Sequence, residues 1–488
     1  MDDPRGDNGL FSPALGAMVT LLALVALPYV TPGLTRARLL APLPEGEGLV
    51  LAPRLVASAA AEAPVGETKL AVETTADDEP ERPAPEEAIP APSAAPEAAA
   101  PHEEKKPPRS IEDPSGHALD PIFAALAKAE HKAPGGIARI TYFGDSIVAG
   151  DFVTGTLRKK LQRRFGDAGH GFMLMANAWP GYHHEGVTRF ATPGWQVSRV
   201  VGPFAKDGLY GLGGVSFRAE APGVFSRFGT AKSGAFGRAV SKFVLDYLEQ
   251  PAGGELEVKV DGALVEVVDT RAPATKSAIR AYPVPDGPHE LEVRARTANV
   301  RTFGVWMERD TPGVVLDAIG IQGCRIRFLD QNDDVHLAEQ LALRDPQLTV
   351  FQYGMNESED GELYPLDQYE ATMKALLEKV RAALPKAACL LVGPLDRADK
   401  KGDVYTSRPV IPKLAAIQRK VSAEVGCAYW DTFHAMGGPG SMGVWVQRGL
   451  GGKDLAHPSG SGAELLGEWI YLALMEAYEG YRDRPAKP

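Results

Sequence analysis

The sequence predicts an α/β domain that is interrupted by an inserted antiparallel β-sandwich. Short apolar runs alternate with helical patterns, which is typical of a parallel sheet covered by helices on both faces. The runs are 138–143, 348–353, 388–392 and 427–430. Between the first and second runs, period-two segments joined by Asp-Gly pairs predict antiparallel strands instead.

Helical patterns separate the predicted strands of the α/β part. They cover 117–130, a segment after Ser146, 366–384, 410–425 and 461–478. In the segment after Ser146, Leu157, Leu161 and Phe165 recur at four-residue spacing, which indicates an amphipathic helix with one buried face. Its Lys and Arg residues are interpreted as a solvated surface. Ligands of parallel sheets bind beyond the carboxyl ends of the strands, where Ser146 and Asn356 both fall.

The inserted segment shows two hairpin signals. Residues 255–260 and 263–268 alternate polar and apolar side chains around Asp261-Gly262, and a second pair, Asp286-Gly287, precedes residues 291–294. Asp-Gly between alternating runs favours a two-residue turn. These segments predict a sandwich-like module at 200–315.

Composition divides the remainder of the chain of 488 residues. The predicted regions are an N-terminal tail at 1–9, a transmembrane anchor at 10–34, a disordered Ala/Pro/Glu-rich tether at 41–115, and the two parts of the α/β domain at 116–199 and 316–482. The tether holds too few large apolar residues to form a core.

The anchor is predicted because residues 10–35 carry no charge and residues 14–30 are almost wholly apolar, which is long enough to span a bilayer. A cleaved signal peptide is the alternative. The positive-inside rule weakly disfavours export of the C-terminal part, since Arg5 precedes the span and Arg36 and Arg38 follow it.

Charge excludes one class of function. The chain has a net charge of −11, and the tether alone holds 16 acidic and 6 basic residues, so the folded region is close to neutral. Without a basic stripe or Lys and Arg interleaved with aromatic residues, there is no electrostatic footprint for nucleic acid.

The cysteines do not indicate a disulfide framework or a zinc site, because there are three of them and they are widely spaced. An odd number leaves at least one thiol unpaired. Cys389 and Cys427 each fall in a predicted strand and are interpreted as small buried apolar residues.

Three residues supply the groups that serine nucleophile chemistry requires. Ser146 stands at the tip of a Gly-Asp-Ser turn after the first strand, and Asp454 and His457 form an Asp-x-x-His pair near the end of the chain. His457 is the candidate base and Asp454 the group that orients it. Asp145 is interpreted as a structural hydrogen-bonding residue of the turn.

Acyl transfer also requires hydrogen-bond donors for the developing oxyanion. The candidates are the backbone N–H of Ser146, a glycine N–H within residues 319–324, and the side-chain amide of Asn356. Each follows a predicted strand. No residue spacing in the chain requires a metal or other cofactor.

In this order the motifs resemble those of the SGNH, or GDSL-like, hydrolase superfamily. Ser146 corresponds to the first block, Gly323 to the second and Asn356 to the third, with Gly320 as an alternative in the second block. The last block is matched by Asp454 and His457. The resemblance implies a flavodoxin-like three-layer α/β/α fold, with Ser146, Asp454 and His457 as the catalytic residues and Ser146, Gly323 and Asn356 as the oxyanion hole.

The longer segments 144–152 and 169–172, with a β insertion before the glycine block, look like the bacterial peptidoglycan O-acetylesterases. That resemblance implies a jelly-roll-like module similar to carbohydrate-binding domains, an O-acetylated glycan as substrate, and a catalytic region in the periplasm. The protein would be anchored in the inner membrane, or secreted if the N-terminal segment is cleaved. Ser146 would attack the acetyl carbonyl.

Other polar and aromatic groups are weaker candidates. His170, His183, His184 and Glu185 lack the spacing of metal ligands and are interpreted as loop or pocket lining. Trp179, Tyr182 and Trp195 are candidates for stacking on sugar rings, with buried packing equally compatible.

Two further functions stay open at the level of sequence. A glycan O-acetyltransferase would use the same triad, because an acyl-serine can be resolved by water or by a sugar hydroxyl. A non-catalytic wall-binding protein would use the β module instead, although the complete Ser, Asn, Asp and His set argues against it.

Overall fold

The structure, a computed structural model, describes residues 107–485. The predicted anchor and residues 41–106 of the predicted tether lie outside this range. Within it, no helix combines the length and the apolar character needed to cross a bilayer. The described helices are α1 (Asp120–Glu130), α2 (Ser146–Ala149), α3 (Phe152–Phe165), α4 (Asp334–Arg344), α5 (Leu366–Ala383), α6 (Val410–Glu424), α7 (Thr432–Met436), α8 (Ser441–Gln447) and α9 (Gly460–Arg482).

The strands form two groups. Those of the α/β domain are β1 (Ile137–Gly144), β13 (Gly313–Gly320), β14 (Leu348–Gln352), β15 (Ala388–Val392) and β18 (Ala428–Trp430). Those outside it are β2 (Gly169–Leu174), β3 (Val187–Ala191), β4 (Trp195–Arg199), β5 (Val215–Ala219), β6 (Phe225–Thr230), β7 (Val240–Glu249), β8 (Glu255–Val260), β9 (Ala263–Asp269), β10 (Lys276–Gly287), β11 (Glu290–Ala295), β12 (Arg301–Glu308), and a hairpin of β16 (Ala398–Lys401) and β17 (Val404–Ser407).

The α/β domain is built on a five-stranded parallel sheet in the order β13-β1-β14-β15-β18. Alternate side chains of each strand enter different cores. Tyr142 and Val350 pack with α1, α3 and α9, whereas Phe143 and Phe351 pack with α4, α5 and α6. Both faces of the sheet are therefore buried, which explains the continuous apolar runs and confirms the predicted three-layer α/β/α fold.

The antiparallel module consists of two sheets. One has the order β10-β7-β12-β5-β4, with β2 also paired to β12, and the other has the order β3-β6-β11-β8-β9. The predicted hairpin at Asp261-Gly262 is confirmed. It joins antiparallel β8 and β9, and both turn residues have positive φ, 51° and 80°, as a type I′ turn requires.

The prediction of a hairpin at Asp286-Gly287 is wrong. β10 pairs with β7 in one sheet, whereas β11 pairs with β6 and β8 in the other, so the chain crosses between sheets at this point. The Asp286 carboxylate accepts two hydrogen bonds from Arg309, at 2.9 and 2.6 Å. The Asp-Gly pair therefore marks a corner that is held by an ion pair.

The antiparallel sheets also contain strands that precede residue 200. β2, β3 and β4 all belong to them, and β2 pairs with β12 from Gly169 onwards. The predicted boundary at residue 200 consequently falls inside the two sheets. Tertiary pairing recruits these strands although their sequence lies close to the first block of the α/β domain.

A buried ion-pair network joins the module to the parallel sheet. Glu308 on β12 accepts hydrogen bonds from Arg139 on β1, at 3.1 and 3.2 Å, and from Arg344 on α4. Arg344 also donates to Asp317 on β13 at 2.5 Å. Burial favours the neutral form of the Glu308 carboxyl group and by itself would raise its pKa. The contacts with Arg344 and Arg139 have a larger effect and hold the pKa of Glu308 well below the usual value. The network links three elements of the α/β domain to the module.

The interpretation of Cys389 and Cys427 as unbonded apolar residues is wrong. They form a disulfide between β15 and the residue directly before β18, with 4.7 Å between their Cα atoms, while Cys324 is free and buried. The adjacency of β15 and β18 is a tertiary feature that cysteine spacing does not reveal.

We expect the disulfide to stabilise the folded protein, because it closes a loop with a sequence separation of 38 residues. Chain-entropy arguments assign such a loop about 4 kcal/mol. Replacing both cysteines by alanine should lower the free energy of unfolding by about that amount in chemical denaturation. Cys324→Ala, which leaves the disulfide intact, is the control for the loss of buried sulfur. An equal loss in the control and the double variant would contradict the prediction.

Candidate active site

The first three motifs lie on loops that leave neighbouring strands at the same edge of the sheet. Gly144, the last residue of β1, is in register with Gly320 of β13 on one side and with Gln352 of β14 on the other. Ser146, Gly323 and Asn356 follow these strand ends by two to four residues. The parallel register therefore brings the three predicted motifs together.

Ser146 is the first residue of α2, and the turn before it is sterically demanding. The Asp145 side chain caps the helix by accepting the Ile147 N–H at 3.0 Å. A Cβ added at Gly144 would lie 2.4 Å from the Val148 side chain. A residue without a side chain is therefore needed where the strand runs directly into the helix.

A continuous hydrogen-bond chain joins the three predicted catalytic residues. Ser146 Oγ lies 2.7 Å from His457 Nε2, and His457 Nδ1 lies 2.6 Å from Asp454 Oδ2. With the carboxylate accepting from Nδ1–H, Nε2 is the ring nitrogen available to take the serine proton. The geometry is that of a nucleophile, a base and an orienting acid.

The Asp-x-x-His segment is held in a compact loop before α9. Asp454 Oδ1 accepts the backbone N–H groups of Ala456 and His457, at 3.1 and 3.0 Å. Leu455 has a positive φ of 59°, and its carbonyl accepts the Ala398 N–H at 3.0 Å. Ser459 then caps α9. Local hydrogen bonds thus set the direction of the imidazole.

The Asp454 carboxylate is ionised at neutral pH. Partial burial favours its neutral form, but hydrogen bonds from the backbone and ring of His457 and from the Ala456 N–H are stronger in sum and lower its pKa below the usual range. The Asp454 and His457 side chains are 53% and 45% exposed. The base side of the site is therefore open to solvent.

The two candidate glycines of the second block have different surroundings. A Cβ added at Gly320 would lie 2.0 Å from the Ala149 backbone nitrogen, so this glycine is required for close packing of β13 against α2. Gly323 is exposed, has a positive φ of 75°, and has open space where a Cβ would point. Among the described residues, the Gly323 N–H has no hydrogen-bond acceptor, whereas Gly320 is part of a strand.

The Asn356 side chain is oriented by the glycine loop. Its Nδ2 donates to the Cys324 carbonyl at 3.0 Å and makes a longer contact of 3.4 Å with Asp145 Oδ2. These two contacts place the Asn356 amide between the Cys324 carbonyl and the Asp145–Ser146 turn. Asn356 therefore has the placement expected of an oxyanion donor.

Two buried carboxyl groups lie next to these motifs. Burial raises the pKa of Asp145 to about 7, with a further contribution from the nearby Glu357 charge, and burial raises the pKa of Glu357 to about 6. Sequence reasoning treated Asp145 as a structural residue of the turn and gave Glu357 no role. The sequence signal for both carboxyl groups is their position: Asp145 directly precedes Ser146, and Glu357 directly follows Asn356, each after a buried strand.

The histidines near residue 180 are part of a different arrangement. His184 and His170 are buried, and His184 Nδ1 lies 3.9 Å from the Asp151 carboxylate, which is itself paired with Arg158 at 2.5 Å. His170 bonds to the Glu185 carbonyl. Within residues 107–485, no cluster of three His, Cys, Asp or Glu side chains is arranged to hold a metal ion.

Two of the three aromatic candidates are buried. Trp179 and Trp195 are 5% and 8% exposed and belong to the core that continues into the module. Tyr182 is half-buried, its hydroxyl oxygen accepts the Leu174 N–H at 3.0 Å, and its ring lies under Arg189. Their present role is packing.

Comparison with known proteins agrees with this geometry. Residues 284–465 match the GDSL-like lipase/acylhydrolase family. Over these residues the chain is similar to that family. The matched segment holds Gly323, Asn356, Asp454 and His457, whereas Ser146 precedes it because the β module separates the first block from the others. No curated protein sequence matches the chain.

Solved structures show how far the structural similarity extends along this chain. A peptidoglycan O-acetylesterase structure superposes with a TM-score of 0.65 at 23% identity, covering 76% of this chain and 99% of that one. A Bacillus subtilis protein, YxiM, gives a TM-score of 0.30 at 15% identity, covering 65% of this chain and 98% of that one. The first comparison shows the SGNH hydrolase fold.

We expect Ser146→Ala and His457→Ala each to lower kcat for ester cleavage by at least about 10⁴-fold, because each removes one member of the proton-transfer chain. The decrease in kcat caused by Asp454→Asn should be smaller than that of either variant, by a factor on the order of 100. The measurement is the hydrolysis of p-nitrophenyl acetate. Ser233→Ala, at an exposed serine of the module, is the control. An active Ser146→Ala variant would contradict the serine-nucleophile mechanism.

The buried Asp145 carboxyl predicts that stability falls as pH rises. Its folded pKa of about 7 lies above the unfolded value of 3.8, so the folded state binds more protons between these values. The contribution of Asp145 to the free energy of unfolding should therefore decrease from pH 4 to pH 7, by an amount on the order of a few kcal/mol. Asp145→Asn should remove this part of the dependence in denaturant titrations, whereas Asp310→Asn, at an exposed aspartate, should not. Identical pH dependence in wild type and Asp145→Asn would contradict the assignment.

Proposed function

We propose that this protein is a serine esterase that removes O-acetyl groups from a cell-envelope glycan, peptidoglycan, through an acetyl-serine intermediate. The observation that carries the proposal is the Ser146–His457–Asp454 hydrogen-bond chain at the edge of the sheet where Gly323 and Asn356 also lie. A lone Gly-Asp-Ser turn would not support it.

The choice of substrate is supported by the likeness to the peptidoglycan O-acetylesterase structure. That likeness covers 99% of the other chain and 76% of this chain. The matched length on this chain is greater than the length of the α/β domain alone. The inserted module is therefore included in the similarity. A hydrolase domain without a module would give no reason to prefer a glycan over another ester.

In the first half-reaction, Ser146 Oγ attacks the acetyl carbonyl carbon while His457 Nε2 takes the hydroxyl proton. The carbonyl oxygen becomes an oxyanion, which the N–H groups of Ser146 and Gly323 and the Asn356 amide stabilise. Within the described residues neither backbone N–H has another acceptor. The tetrahedral adduct collapses when His457 returns its proton to the sugar oxygen, and the ester C–O bond breaks.

In the second half-reaction, water attacks the acetyl-serine carbonyl and His457 again acts as the base. Collapse of the second adduct breaks the bond to Ser146 Oγ, releases acetate, and returns the proton to the serine. Asp454 stabilises the imidazolium formed in both steps and holds its orientation. The exposed base side of the site gives water a direct approach to His457.

We also propose that the catalytic region acts outside the cytoplasm, in the periplasm, held to the inner membrane by the apolar segment at 10–34, or secreted if that segment is cleaved. The apolar sequence of that segment supports the proposal. The Cys389–Cys427 disulfide supports it independently, because such bonds are typical of oxidising compartments.

The proposal predicts that the full-length protein releases acetate from O-acetylated peptidoglycan, with an acetylated chito-oligosaccharide present as a possible acceptor. Acetate should appear with the wild type and with Ser233→Ala, and should be absent with Ser146→Ala. Acetate can be quantified enzymatically, and acetyl groups on the acceptor by mass spectrometry.

Each outcome of that assay has a distinct meaning. Transfer of acetyl groups to the acceptor in place of acetate release would identify an O-acetyltransferase. Hydrolysis of p-nitrophenyl acetate without any effect on peptidoglycan would retain the esterase and overturn the substrate. If the wild type neither hydrolyses p-nitrophenyl acetate nor removes acetyl groups from peptidoglycan, the enzyme proposal would be overturned in favour of a wall-binding role.

A further inference from the structure

Two loops of the candidate site are tied together by side chains that reach from one to the other. The loop after β13 contains Gly323, and the loop after β14 contains Asn356. Asn356 Nδ2 donates to the Cys324 carbonyl at 3.0 Å, and Glu357 Oε1 accepts the Ile326 N–H at 2.7 Å. Consecutive residues of one loop thus bind both ends of a three-residue segment of the other.

Glu357 is unusual among the side chains near the site. Its carboxyl group is fully buried, with 0% exposure, and within the described residues its second oxygen, Oε2, has no hydrogen-bond partner. Burying a carboxylate without full compensation costs free energy. An apolar residue would avoid this cost but could not accept the Ile326 N–H.

The location of the carboxyl group indicates that purpose. Besides the Ile326 N–H, it interacts electrostatically with Asp145, which caps the nucleophile helix, and with Arg325. Glu357 therefore lies where the loops after β1, β13 and β14 meet. It is well placed to set the distance between these loops, although it faces no reacting atom.

We propose that Glu357 is a positioning residue, whose carboxylate fixes the spacing between the Asn356 amide and the Gly323 N–H by binding the Ile326 N–H across the two loops. The inference rests on the proposed esterase function, because it assigns these groups to the oxyanion hole. Neither loop alone determines the spacing, since the donors belong to different loops.

The rate should be sensitive to this contact. Oxyanion donors act at defined distances from the developing charge, and a displacement of about 1 Å can cost on the order of 100-fold in rate. Ground-state binding of a small acetyl ester depends less on the same donors. Loss of the contact should therefore lower kcat and leave KM almost unchanged.

The test uses the full-length protein and p-nitrophenyl acetate. Glu357→Ala should lower kcat by about 10- to 100-fold with KM changed by less than about threefold. Glu357→Gln keeps an acceptor oxygen for the Ile326 N–H and should remain within about fivefold of the wild type. If the alanine variant does not fold, Glu357→Asp replaces it, because the shorter side chain moves the carboxylate away from the Ile326 N–H by one methylene. Its kcat and KM are then compared with those of the wild type and Glu357→Gln.

A double-mutant cycle with Asn356→Ala tests whether Glu357 acts through the oxyanion donors. Asn356→Ala alone should cost about 10²- to 10³-fold in kcat. Adding Glu357→Ala to that background should cost less than about threefold more, because one of the two aligned donors is already missing. Multiplication of the two losses would overturn the proposal.

Asp360→Asn provides the matched control. Asp360 pairs with Arg325 at 2.5 and 3.1 Å, so it also joins the two loops, but it lies at the exposed surface. Exposed ion pairs contribute little, and its loss should change kcat by less than about threefold. An Asp360→Asn loss as large as that of Glu357→Ala would assign the effect to general loosening of the loops and overturn a specific role for Glu357.

Hydrogen exchange separates this inference from the proposed function. The Ile326 amide should exchange faster in Glu357→Ala and at the wild-type rate in Glu357→Gln, whether or not any ester is cleaved. Unchanged exchange in Glu357→Ala would overturn the contact. Faster exchange in a protein whose wild type cleaves no ester would support the contact and overturn the esterase function instead.

Discussion

The candidate site depends on the parallel register of three strand ends. Gly144, Gly320 and Gln352 lie side by side, so the loops that follow them leave the sheet at one edge and within a few residues of one another. Two glycines in this row allow the backbone of α2 to approach β13, since a Cβ at Gly320 would lie 2.0 Å from the Ala149 nitrogen. If that approach were lost, Ser146 would move away from the loops that carry Gly323 and Asn356. The proposed nucleophile and its proposed donors are thus brought together by sheet geometry.

This constraint explains which parts of the site were predictable. The carboxyl ends of parallel strands coincide, so a polar motif after each buried run predicts a common location even without knowledge of strand order. Ser146 and Asn356 could be found in this way, whereas His457 was found from its Asp-x-x-His spacing to Asp454. The choice between Gly320 and Gly323 could not, because it depends on which glycine faces the helix and which faces open space. Packing of one backbone on another leaves no periodic signal in the sequence.

The features that escaped prediction all involve residues brought together by long-range pairing. Cys389 and Cys427 bond because β15 and β18 are neighbours, and Asp286-Gly287 is a corner because β10 and β11 belong to different sheets. β2 joins the module through β12, which follows it by more than 120 residues. Local patterns identify strands reliably when polar and apolar side chains alternate or when the whole segment is apolar. They do not show which other strand each one pairs with.

The two sides of the site are constructed differently, and the difference is physical. Asp454 and His457 lie three residues apart on one loop, half exposed, where a carboxylate stays ionised without a buried counter-ion because water and local N–H groups solvate it. Such a pair can be encoded by a short motif. Stabilisation of an oxyanion, by contrast, requires donors that are fixed in advance relative to one another, and the candidate donors do not lie on a single loop. The proposed donors lie on three loops, and a fully buried acidic side chain such as Glu357 is the kind of residue that can hold those loops in place.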